Sequence, residues 1–78
     1  MKTTFEIQNP ISAINGKALV ERLYTLRNIW NVLVDNNNRT ITFEYLNTTS
    51  RDMVQRELHH MGYTLINDTH ALDWNANL

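Results

Sequence analysis

Residues 29–45 read IWNVLVDNNNRTITFEY, and this stretch decides the fold. From Trp30 to Asp35 the residues alternate, with Trp30, Val32 and Val34 on one side and Asn31, Leu33 and Asp35 on the other. From Thr40 to Tyr45 they alternate again, Ile41, Phe43 and Tyr45 against Thr42 and Glu44. A period of two is the mark of a half-buried strand. Between the runs stands Asn36-Asn37-Asn38, and asparagine tolerates the positive φ that tight turns demand. Two alternating runs around such a turn predict a β-hairpin.

Upstream of the hairpin, residues 4–8 alternate once more, Phe5 and Ile7 against Thr4, Glu6 and Gln8. Asn9-Pro10 closes that strand, because proline cannot donate to a ladder. Ser12 then stands as a helix N-cap. Leu19, Leu23 and Leu26, spaced by four and three, stack on one helical face, while Lys17, Glu21, Arg22 and Arg27 fall largely opposite. The spacing predicts a helix over 12–27, weakened by Gly16. Downstream, Asn47-Thr48-Thr49-Ser50 supplies several N-cap candidates. Val54, Leu58 and Met61 repeat the four–three stripe and predict a helix over 50–61, with Asp52 in its first turn. Gly62 is placed as the residue just past that helix, where positive φ is common. Tyr63 to Ile66 completes a short last strand.

The element order is β-α-β-β-α-β. Each helix carries one apolar stripe and each strand one apolar face. Both helices packed on one face of a four-stranded antiparallel sheet bury all of these together. The expected fold class is therefore an α+β, ferredoxin-like sandwich. Seventy-eight residues suffice for one such domain, assigned to 1–66. Residues 67–78 form a C-terminal extension in which Leu72, Trp74 and Leu78 show no clear period.

Seven Lys and Arg residues against eight Asp and Glu give a net charge of −1. Such a balance lacks the basic footprint that nucleic acid or an anionic membrane requires. The chain has no cysteine, which excludes disulfides, thiolate metal sites and a cysteine nucleophile. No apolar run of signal-peptide length follows Met1, and none is long enough to span a bilayer; a cytoplasmic protein is expected.

Several features together resemble the heavy-metal-associated family, found in copper chaperones and at the N-termini of copper- and zinc-transporting P-type ATPases. The resemblance covers residues 4 to about 66. The family's first strand leads into Gly-Met-Thr-Cys-x-x-Cys and a helix; here that stretch is Asn9-Pro10-Ile11-Ser12-Ala13-Ile14-Asn15. Leu19, Leu23 and Leu26 occupy the family's apolar offsets. Val32, Val34 and Asp35 stand before the turn, Thr40 to Phe43 in the return strand, and Gly62-Tyr63 where many members carry a Gly-Tyr pair. The resemblance implies the same βαββαβ fold. Both ligand cysteines, however, are replaced by Ser12 and Asn15, and the methionine by Pro10. Copper(I) prefers soft thiolate or thioether donors, whereas a hydroxyl and an amide are hard and neutral. No metal is therefore expected at Ser12 and Asn15; Ser12 reads instead as the cap of the first helix, with Asn15 supporting its first turn.

Other chemistry is sparse. His59 and His60, beside Met61, form the alternative ligand set for a transition-metal ion such as copper or zinc, with His70 as a possible third member. The resemblance implies that this segment approaches the Ser12–Asn15 loop. Adjacent helical residues nevertheless diverge by about 100°, and Met61 continues the core stripe. Two histidines late in a helix also suit its dipole. Glu6 and Glu44 are outward strand positions and Asp35 begins a turn, so no catalytic residue is identified and an enzyme is not expected. Trp30, Leu33 and Tyr63 are large side chains near the sheet rim, and aromatic anchors suit protein contact. The expected function is a non-enzymatic binding or accessory domain that has kept the scaffold and lost thiolate metal binding. Its expected partner is a protein, a metal transporter or related domain among the candidates; the expected state is a monomer or a weak dimer through an open strand edge.

Overall fold

The computed structural model describes residues 1–68. It contains β1 (Lys2–Ile7), α1 (Ala13–Leu23), β2 (Ile29–Asp35), β3 (Thr40–Tyr45), α2 (Thr48–His60) and β4 (Leu65–Asp68). The four strands form one antiparallel sheet in the order β2-β3-β1-β4. Both helices lie on one face, so the fold is the ferredoxin-like α+β sandwich expected from the pattern. No helix among the described residues is long and apolar enough to cross a membrane.

The core lies between the helices and one sheet face. Phe5, Ile7, Ile41, Phe43 and Tyr45 from the two central strands meet Leu19, Leu23, Val54 and Leu58 from the helices. All nine are at most 1% exposed. The Phe5 and Phe43 rings pack edge to face with centroids 5.1 Å apart, and Tyr45 tilts against Phe43 at 5.9 Å. Such offsets align positive ring edges with negative ring faces. The helix-free face carries Lys2, Thr4, Glu6, Thr40, Thr42 and Glu44, the alternate residues of β1 and β3.

Local chemistry sets the helix ends. The Ser12 hydroxyl accepts the Asn15 N–H at 3.1 Å and caps α1 as expected. The helix ends at Leu23 rather than at residue 27. The Thr25 hydroxyl takes the Arg22 carbonyl, and Asn28 turns to a φ of 64°. Leu26 still packs on the core, from a turn rather than from a helical face. At the other helix, Asn47 is the cap: its side-chain oxygen accepts the N–H and the hydroxyl of Ser50, both at 2.9 Å. α2 therefore begins at Thr48, Asp52 lies beyond the first turn, and its carboxylate pairs with Arg51. Gly16, the weak point of α1 by propensity, has a packing reason. A Cβ there would sit 2.9 Å from the Asn36 side-chain oxygen, where the hairpin turn meets the helix.

Gly62 has a φ of 89°. Its N–H donates to the His59 carbonyl at 3.0 Å, and the Tyr63 N–H reaches back to the Leu58 carbonyl at 2.9 Å. This paired closure is the Schellman motif. Replacing Gly62 by valine forces a β-branched residue into the left-handed region and is expected to cost about 1–2 kcal/mol. Nothing lies within 4 Å of a Cβ built there, so the penalty is conformational rather than steric with neighbours. Thermal unfolding of the two proteins measures it, and an unchanged Tm contradicts the assignment.

The last strand also departs from expectation. It starts at Leu65, two residues after Tyr63, and runs to Asp68, so Asn67 and Asp68 belong to the domain rather than to an appendage. The Schellman closure holds Tyr63 close to α2, and pairing with β1 begins only afterwards. Arg51 and the buried Thr3 hydroxyl both donate to the Asp68 carboxylate and anchor the strand end. The hairpin turn is held by Asp35, whose carboxylate accepts the Asn37 and Asn38 N–H groups at 3.0 and 3.1 Å and the Asn38 side-chain amide at 2.8 Å. These bonds, the Asn38 backbone N–H foremost, hold the exposed Asp35 carboxyl below its ordinary value of 3.8.

Candidate functional site

β2 is an edge strand, and its side chains do not follow one alternation. Ile29 and Val32 are buried, while Trp30 and Leu33 are 47% and 67% exposed. The ladder explains the change of phase: Trp30 pairs with Glu44 and Leu33 with Thr42, so three steps along β2 match two along β3. This is a β-bulge. Asn31 takes the left-handed conformation, with a φ of 52°, and its side-chain amide donates to the Glu44 carboxylate. The bulge separates Trp30 from Val32 and Val34, with which it shares one side of the alternation in the sequence. Ile29 enters the core in its place, and Trp30 joins Leu33 on the helix-free face.

A bulge leaves a backbone group without its ladder partner. Here the Val32 N–H donates to the Tyr24 hydroxyl at 3.0 Å. Tyr24 stands just past α1 and thereby props the bent strand that presents Trp30 and Leu33. Replacing Tyr24 by phenylalanine is expected to cost about 1 kcal/mol, the net worth of one partly buried hydrogen bond. Faster amide exchange at Val32 than at Phe43 identifies the loss as local; unchanged exchange at Val32 contradicts it.

Trp30 and Leu33 occupy neighbouring outward positions, since their partners Glu44 and Thr42 are two apart on β3. Leu33 also borders a shallow cavity of about 330 Å³ between β2 and α1, lined by Gly16, Lys17, Val20, Val32 and Val34 among others. Tyr63 does not join this surface. It packs partly buried against the core, next to β4 at the opposite edge of the sheet.

The other candidates are also placed. The Ser12 hydroxyl is engaged in its cap and Asn15 is exposed on the first turn of α1. The loop after β1 does meet the loop after α2: the Thr64 N–H donates to the Asn9 side-chain oxygen at 2.7 Å, and the Gln8 N–H to the Thr64 carbonyl at 2.8 Å. The groups that meet are amides and backbone. Met61 packs against the core, and His59 and His60 are both exposed. Among the described residues no three His, Cys, Asp or Glu side chains come together as a metal-binding group. His70, Leu72, Trp74 and Leu78 lie outside the described residues.

A second cavity, of about 430 Å³, brings together His59 and Tyr63, which the sequence assigned to separate candidate sites. It lies between α2 and the start of β4 and is lined by Asp52, Gln55, Arg56, His59, Tyr63, Thr64 and Leu65. Its sequence trace is faint: residues 52, 55, 56 and 59 recur at helical spacing on the side of α2 away from Val54 and Leu58. Compared with family models, with curated proteins and with solved structures, the chain gives no match.

Proposed function

We propose that the chain is a non-enzymatic binding module of the cytoplasm that acts through contact with a protein partner at β2. The supporting observation is that Trp30 and Leu33 stand exposed side by side on the helix-free face of an edge strand. A tryptophan beside an aliphatic side chain suits a small interface anchor, and an edge strand offers unpaired backbone beside it. The resemblance to heavy-metal-associated domains supports the same reading, with the scaffold retained and the two thiolate positions given to a helix cap and its neighbour. That resemblance implies a metal transporter or a related domain as the partner class.

The test places a photo-crosslinking amino acid at position 33 of the full chain in its source cells. One dominant crosslinked protein is expected. Its affinity for the purified chain is expected to fall about tenfold or more in the Trp30→Ser/Leu33→Ser double variant, as truncation of interface anchors does. Unaltered affinity overturns the reading. So does metal titration, if Cu(I), Zn(II) or Ni(II) gives tight, saturable NMR shifts confined to residues 12–15 and 59–63, the behaviour of a trafficking protein with a non-cysteine site.

A further inference from the structure

The second cavity has backbone chemistry as well as side chains. β4 is the other edge of the sheet and, among the described strands, pairs only with β1. Ile7 sends its N–H to the Arg39 carbonyl at 2.9 Å, on the β3 side, although it stands opposite Leu65. One residue away, Gln8 and Thr64 are joined by the bond from the Gln8 N–H. Backbone groups of successive strand residues alternate in direction. The Leu65 N–H and C=O therefore point away from β1, to the side where no described strand pairs, at the margin of the cavity that Leu65 itself lines.

The cavity wall on α2 carries one cation, Arg56, in a molecule of net charge −1. Arg56 makes no ion pair among the described residues, since the pairs found are Arg22 with Glu57 and Arg51 with both Asp52 and Asp68. Asp52, the one acid of the lining, lies 3.3 Å from Arg51, a partner it shares with Asp68. His59 stands one helical turn from Gln55 and Arg56, and Tyr63 and Thr64 close the end.

We propose that this groove takes an extended acidic peptide segment of a partner, which adds to β4 as a fifth strand. The free edge at Leu65 supplies main-chain hydrogen bonds. The alternation of the added strand turns every second side chain toward α2, where a carboxylate meets Arg56 beside His59 and an apolar neighbour rests on Leu65 and Tyr63. Strand addition with side-chain pockets is an established recognition mode. The surface is separate from Trp30 and Leu33, at the far edge of the sheet.

The test pans a random-peptide phage library against the full 78-residue chain and maps the enriched peptide by NMR and amide exchange. Enrichment of acidic residues at alternate positions is expected, with shifts at Arg56, His59 and 65–67 and slowed exchange of the Leu65 amide. Arg56→Glu is expected to weaken binding by about tenfold or more, whereas Lys17→Glu, the same charge change on α1, leaves it unaltered. The Trp30→Ser/Leu33→Ser variant is expected to bind as well as the unaltered chain, so this outcome and that of the β2 crosslink are independent. No binders, binders without acids, or a footprint on β2 overturns the proposal. Inorganic phosphate giving the same shifts at Arg56 and His59 with Leu65 unprotected makes the groove a small-anion site and overturns it. A Leu65 amide already protected without peptide, in the monomer or in a concentration-dependent dimer, overturns it as well.

Discussion

Replacing Phe43 by alanine is expected to remove about 3–5 kcal/mol of stability. A domain of this length holds roughly 4–12 kcal/mol in total, so the loss takes about a quarter of it or more. Phe43 is fully buried on a central strand, between the Phe5 ring on β1 and the Tyr45 ring two residues on. Truncation removes both ring contacts and opens a void that close-packed neighbours on two strands fill only in part. Phe43→Leu keeps most of the volume and is expected to cost less than half as much. Urea unfolding of the three proteins gives the ordering. A Phe43→Ala loss below about 1 kcal/mol would show that the site collapses freely and that the aromatic row is not the centre of the core.

Asp68→Ala carries the second large effect, about 2–3 kcal/mol. The Thr3 hydroxyl is fully buried and donates to this carboxylate, as does the quarter-exposed Arg51. Without Asp68 the hydroxyl keeps its desolvation cost and loses its acceptor, and β4 loses the tie at its C-terminal end. Two further variants separate these causes. Asp68→Asn retains an acceptor and is expected to cost less than alanine. Thr3→Val removes the stranded donor, so Thr3→Val/Asp68→Ala is expected to be less destabilising than the sum of its single changes, with a coupling of about 1 kcal/mol. Additive losses would mean that Thr3 and Asp68 do not act as a unit.

These two residues differ in how visible they are in the sequence. Phe43 stands in a clean alternation between Ile41 and Tyr45 and reads as core from its immediate neighbours alone. Asp68 lies past the last apolar alternation and reads as part of a tail. Nothing near it in the chain reveals Thr3, 65 residues away, as its partner. Trp30 is intermediate. Its strand is evident, but its side is not, because one extra residue reverses the phase of everything before it. The trace of that bulge is Asn31, a residue tolerant of positive φ placed inside an apolar run. Its outcome rests on the Tyr24 hydroxyl and the Glu44 carboxylate. The first bonds Val32 from eight residues back, and the second bonds Asn31 from thirteen ahead.

The candidate surfaces divide the same way. Ser12 as a helix cap is legible, because an N-cap bond spans three residues. Tyr63 is no companion of Trp30 and Leu33, because position along the chain does not say which edge of the sheet a residue borders. The groove at Arg56 and Leu65 joins a helix face to a strand edge, and each half alone is ordinary.

By itself the sequence determined the element order, the hairpin, the cap at Ser12, the positive φ at Gly62 and the aromatic core, since periodicity and turn chemistry act over a few residues. Only the tertiary structure decided which face Trp30 takes, where β4 ends and that Arg56 stands beside an open strand edge. Those depend on which distant backbone and side-chain groups must satisfy one another once the sheet has closed, and hydrogen bonds across the sheet carry that information rather than neighbours in the chain.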